Sequence, residues 1–198
     1  MSETADIQKT NTRGQGPGRP REFDEAKALE VALNVFWQKG FEAASLEDLT
    51  KAMGLSRSSF YGTFGSKQAL FQRALAHYSR NALKNLQAVA DTAGEDPVGA
   101  MVEALANPQG GSRGCMLINC ITELAPHDEE VARIGRQHLE SIEEILAKSI
   151  DPEHPEAARD SASAYASLAI GTLALRKAGF PAERIAKTLA QAKSIVST

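Results

Sequence analysis

Cysteine is nearly absent: the 198 residues hold only Cys115 and Cys120. Two thiols cannot staple a small domain together, and the chain is expected to keep them reduced in the cytoplasm. Long apolar runs are also missing. The best candidate, 164–175, is interrupted by Ser167, Gly171 and Thr172 and falls short of the ~18 residues a membrane helix needs. The polar N-terminus has no apolar stretch of the kind a secretory signal carries. The four histidines (His77, His127, His138, His154) are scattered without metal-ligand spacing, and P-loop, G-x-S-x-G and G-x-G-x-x-G patterns are absent. An enzyme, a metal, a cofactor and a membrane partner are therefore not expected. The run His127-Asp-Glu-Glu130 reads as helix capping rather than as an acid–base cluster.

Acid is scarce in one place. No Asp or Glu occurs from residue 49 to 90, whereas Lys51, Arg57, Lys67, Arg73, Arg80 and Lys84 do. The chain as a whole carries −3, but residues 1–80 hold 11 Lys/Arg against 9 Asp/Glu, and residues 81–198 hold 11 against 16. A local basic surface on an acidic chain is what phosphate contact requires; a solvated face of chance composition is the bland alternative.

What is present inside that basic stretch is a sharp local pattern. Leu46, Leu49 and Met53 share one helical face, with Ser45 as N-cap and Asp48 three residues on. Gly54 stands where a helix needs a left-handed residue to stop. Ser56 can cap a second short helix whose Phe60 and Phe64 point inward, leaving Arg57, Ser58, Ser59 and Tyr61 toward solvent. Two helices joined by a short glycine turn, the second one polar, form the pattern of a helix-turn-helix that reads DNA.

The segment GLSRSSFYGTFGSKQALF (54–71) closely resembles the signature of the TetR/AcrR family of bacterial regulators. In that family a glycine turn precedes a short recognition helix ending in Tyr-x-x-Phe, and Ser/Asn-Lys-x-x-Leu opens the next helix. The resemblance covers roughly residues 20 to 75. It implies an all-helical homodimer that binds a pseudo-palindromic DNA operator, with a variable second domain for a small-molecule inducer. Gly62 and Thr63 depart from the pattern, because many members carry bulkier, phosphate-touching residues there; some backbone contacts are expected to be missing or replaced.

On this reading Arg57 opens the recognition helix, where its planar fork suits guanine O6 and N7. Ser58 and Ser59 lie beside it, Tyr61 and Thr63 are placed for phosphate, Ser45 borders the same surface, and Lys67 adds an ammonium at the next helix N-terminus. Upstream, GPGRPR (16–21) resembles the core of an AT-hook, so Arg19 and Arg21 are candidates for a narrow minor groove; a tail with incidental arginines is the alternative.

The expected organisation is a basic arm over 1–22, a helix-turn-helix domain over 23–70 and a sensing and dimerisation domain over 71–198. Helices are expected near 24–40, 66–89 (linking the two units), 98–106, 113–124 (mostly buried), 128–150, 156–178 and 181–196, with a loop at 107–112; no strand pattern occurs. Small residues from Ser161 to Ala174 suit close helix approach across a dimer, or ordinary packing within the chain. In 112–123, Arg113, Cys115, Asn119 and Cys120 are the candidate sensor residues. Cys115 lies near a helix N-terminus and Arg113, both of which favour thiolate. Along one helix the two cysteines would stand about 140° apart with ~7.5 Å of rise, too far for a disulfide. Three functions follow: an inducer-released repressor, the same fold acting as a cysteine-based redox or electrophile sensor, and an enzyme or binding module that carries a helix-turn-helix.

Overall fold

Local capping sets the helices of the N-terminal unit. In the computed structural model, which describes residues 24–106 and 114–196, the Asp24 side chain accepts from Lys27 N–H and starts α1 (Glu25–Lys39), which stops at Gly40. Helix α2 (Leu46–Met53) begins with a full capping box: Ser45 Oγ accepts from Asp48 N–H, and the Asp48 carboxylate accepts from Ser45 N–H. It ends where Gly54 takes φ 66°, a conformation that any side chain would strain, and Leu55 N–H closes the turn on Thr50 C=O at 2.9 Å. Ser56 caps α3 (Arg57–Phe64) and Ser66 caps α4 (Lys67–Thr92) in the same manner.

Among the described residues the remainder is also helical: α5 (Pro97–Ala106), α6 (Met116–Leu124), α7 (Glu129–Ile150), α8 (Arg159–Lys177) and α9 (Ala182–Val196). Nine α-helices and no strand among the described residues give the expected all-α class. Three details differ from the sequence expectation. Helix α6 starts at Met116, with Cys115 as an N-cap that makes no side-chain cap bond, and it is half-buried rather than mostly buried because Thr122 and Glu123 face solvent. The stretch 156–178 is not one helix: Pro155–Ala158 is a tight 3-10 turn that feeds α8. Helix α9 starts one residue after Pro181. The loop at 107–112 lies outside the described residues.

Two apolar cores result. The first gathers Leu29, Phe36, Leu49, Phe60, Leu70 and Phe71 from α1–α4, and also takes in Met116 and Leu117 of α6 and Val131 and Ile134 of α7. The second lies under Leu86, Met101, Ile142, Leu146, Ala162 and Ile185. Helix α4 crosses both, so α4 connects the helix-turn-helix to the rest through packed side chains rather than a flexible linker. The α6–α7 contact is close because Gly135 has no side chain; a Cβ there would fall 2.6 Å from Ile121 Cγ1. No helix of the described residues is long and apolar enough to cross a membrane.

Candidate nucleic-acid interface and cavity

Helix α3 divides into two faces. Phe60 and Phe64 are buried against the first core, and a third buried ring, Phe71, continues that core on α4. On the other face Arg57, Ser58, Ser59 and Tyr61 are exposed, Tyr61 by 54%, which makes it the one large apolar side chain left in solvent among the described residues. Its ring edge rests on Phe60 at 5.5 Å, so the phenol is held in place although it is exposed. Ser59 Oγ lies 2.9 Å from Ser56 Oγ. Thr63 is half-buried at the end of the helix, and its carbonyl accepts from Arg73 Nη1 at 2.9 Å.

Several side chains of this region bond within the fold. Lys67 turns inward: its Nζ donates to the carbonyls of Phe41 (3.0 Å), Glu42 (3.3 Å) and Ala44 (3.2 Å) and lies 4.5 Å from the centre of the Phe41 ring. An ammonium has three N–H groups, and three carbonyls take them, so Lys67, expected at phosphate, here latches the α1–α2 loop onto α4. Arg73 ties α3 to α4 and to α1, through Thr63 C=O and an ion pair with Glu25, and stacks 5.0 Å from the Phe64 ring. The Ser45 hydroxyl donates to Asp48 Oδ2 at 2.7 Å in addition to its capping role, so it too is committed to the fold. Lys39, 2.6 Å from Asp48, and the Ser45 bonds hold that carboxyl well below the usual carboxylate range. Near α3, Lys51 and Arg57 remain exposed. Arg19 and Arg21 lie outside the described residues, as does Arg113.

Between α4, α5, α7 and α8 lies a cavity of about 570 Å³ that opens to solvent where Asn81 and Asn85 are exposed. Cys115 is on its wall, with Sγ 3.4 Å from Tyr78 Oη. Cys120 is buried, and burial pushes its thiol up to about 12. Cys120 and Asn119 face a smaller cavity of about 340 Å³, where Asn119 Oδ1 accepts from Lys177 Nζ at 3.1 Å. The candidate sensor residues are therefore divided between two spaces.

Sequence reasoning missed the polar residues of the larger cavity: Tyr78, Asn81, Asn85, His138 and Arg176, with Trp37 reaching in from α1. A signal for two of them existed. His138 continues the buried stripe Val131, Ile134, Gly135 of α7, and Arg176 interrupts the apolar face of α8. Trp37 meets Tyr78 edge to face at 5.8 Å, which puts a residue of the helix-turn-helix unit in direct contact with the cavity wall. A second bridge joins Gln68 on α4 to Asp128, the cap of α7.

An exposed polar helix locked after a glycine turn has the form of a helix-turn-helix that reads DNA. Comparison with known proteins places it. Residues 28–74 match the family model described as bacterial regulatory proteins, tetR family. The chain is 32% identical to the HTH-type transcriptional repressor BdcR of Escherichia coli (strain K12) over 197 residues, covering 96% of this chain and 97% of that one. It is 35% identical over 121 residues to the repressor ComR of the same strain, covering 58% of each. Its fold resembles that of the TetR family regulator CifR, solved as a cysteine mutant with a 26 bp double-strand operator, at TM-score 0.73 and 28% identity over 88% of this chain and 97% of that one. The chain belongs to the tetR family of bacterial regulators. It is a DNA-binding transcriptional regulator and not an enzyme.

Proposed function

We propose that the protein is a cytoplasmic repressor that binds a pseudo-palindromic operator as a homodimer and leaves it when a small molecule fills the larger cavity. The observation that carries this reading is the division of α3, with Phe60 and Phe64 fixing the helix from behind while Arg57, Ser58, Ser59 and Tyr61 face out. Arg57 at the first helical position reads a guanine edge, and Tyr61 takes a phosphate oxygen. The dimer forms through α8 and α9: Ala164, Ser167, Gly171 and Ala174 recur on one exposed face of α8, small enough for a partner helix to approach closely. A ligand in the cavity pushes on Tyr78 and Trp37, and α1 carries the shift to the reading helix.

A thiol signal has less support than a reversible ligand. Cys115 already pairs with Tyr78, and Cys120 is buried in its protonated form. The test of the base-reading role is Arg57→Ala. This exposed substitution is expected to weaken operator binding by about 1–3 kcal/mol and to relax selectivity at one position of each half-site, measured by selection from randomised operators. An equal loss on all sequences would assign Arg57 to phosphate and leave base reading to other residues.

A further inference from the structure

Glycine inside a helix lowers stability relative to alanine, because it gives up more backbone freedom on folding. Where a glycine stands in such a place, the fold usually shows why. Gly135 of α7 makes room for Ile121, and six other glycines take a positive φ. Gly62 has neither reason. It lies inside α3, its φ is not positive, it is exposed, and a Cβ built on it meets nothing within 4 Å. Among the described residues only Gly171 of α8 shares this combination, and that glycine stands on the face where the partner helix of the proposed dimer approaches. A bare helical position that the fold does not need is explained in the same way at both places, by another molecule coming close.

The place of Gly62 around the helix says which molecule. At about 100° per residue, Phe60 and Phe64 each stand about 160° from Gly62, one to either side. Both rings are buried, so Gly62 lies on the outermost line of α3, directly opposite the core. Ser58 and Ser59 fall within about 60° of that line, whereas Tyr61 stands about 100° to the side. The crest of the helix therefore carries two short hydroxyls and one bare Cα. A serine hydroxyl reaches only one bond beyond Cβ, so it meets a base edge only when the helix backbone itself comes near. Ser59 Oγ shares one hydrogen bond with Ser56 and, as a hydroxyl, retains capacity for another.

We infer that Gly62 is a specificity-determining position of the DNA site: it lets the backbone of α3 descend to the base edges of the major groove, where Ser58 and Ser59 read them. A side chain at 62 would hold the helix away from the bases, and the short serine contacts would be lost first. This role rests on the reading of α3 as the helix that reads sequence.

Gly62→Ala is the test, because folding and DNA selection are expected to move in opposite directions. Alanine is the better helix former and meets no neighbour, so Tm is expected to rise by about 1–4 °C. Affinity for an operator selected from randomised DNA is expected to fall about tenfold or more, as one methyl forced into a close contact costs. Affinity for unrelated DNA of the same length is set by charge and is expected to stay within about twofold. Gly62→Leu is expected to fold normally by circular dichroism and to lose selectivity altogether. A Gly62→Ala protein that binds the selected operator as tightly as the original overturns this role. So does a lowered Tm, which would return the glycine to the needs of the fold. Equal losses on the operator and on unrelated DNA would overturn it as well, since general binding rather than base reading would have changed. An unmodified protein that selects no operator would remove the sequence-reading role of α3, and that of Gly62 with it.

Discussion

Replacing Lys67 by Met is expected to lower the stability of the protein by about 2–3 kcal/mol, although the side chain belongs to the basic stretch that would otherwise be assigned to DNA. Met keeps most of the aliphatic stem and removes all three donors. The carbonyls of Phe41, Glu42 and Ala44 then lose a charged partner in a half-buried loop, and unmade hydrogen bonds of that kind cost about this much. In a chain of 198 residues such a loss lowers Tm by roughly 4–10 °C. Operator affinity should fall as well, since the latch holds the α1–α2 loop against α4, but the slope of log K against log salt should not change. A Lys67 that contacted phosphate would behave in the opposite way: Tm would hold and the slope would fall by about one per subunit. Calorimetry together with a salt series on one operator separates the two.

Stability should also fall on mild acidification, in a window set by His138. Its imidazole is 4% exposed, with Nδ1 2.9 Å from Ser79 Oγ, and burial lowers its pKa from 6.5 to about 4. Between those values the unfolded chain binds a proton that the folded chain refuses. The contribution is therefore complete above about pH 6.5, shrinks as the pH falls, and is gone below about pH 4, a total of about 3 kcal/mol. Asp48, Glu130, Glu144 and Glu156 have lowered pKa values as well, so their contributions are lost only as pH falls through the carboxylate range, at the acid end of that window. Urea unfolding from about pH 7.5 to about pH 4.5 isolates the histidine. The double variant Ser79→Ala, His138→Leu, which removes both members of the buried pair, should show a nearly flat profile across that range. A slope in the double variant equal to that of the original protein would assign the effect elsewhere.

What the sequence made legible is what short-range chemistry decides. The caps Asp24, Ser45, Ser56, Ser66 and Asp128 each bond to an amide two to three residues on, so they can be read from the string, and with them the starts of α1–α4 and α7. The inward Phe60 and Phe64 follow from helical spacing in the same way. The role of Lys67 was not legible, because its partners are 23 to 26 residues upstream and only tertiary packing brings their carbonyls to one point. Arg73 likewise reaches back 48 residues to Glu25. A run of six cations without acids looked like a uniform DNA-facing surface, yet the fold takes two of them for internal clamps. The cavity was least visible, since Trp37, Tyr78, His138 and Arg176 come from four helices and no local pattern joins them. Of the proposed sensor pair, Cys115 reaches that cavity, while Cys120 faces the smaller one.

DNase I footprinting of the protein on DNA flanking its own gene tests most directly whether α3 reads sequence on behalf of a dimer. Such a dimer should protect one pseudo-palindrome whose half-sites are centred about 34–36 Å apart, or a longer site shared by two dimers. Protection at the same protein concentration should be lost in Arg57→Ala. Protection spread evenly along the fragment, or an asymmetric site that Arg57→Ala protects as well as the original protein does, would contradict that reading.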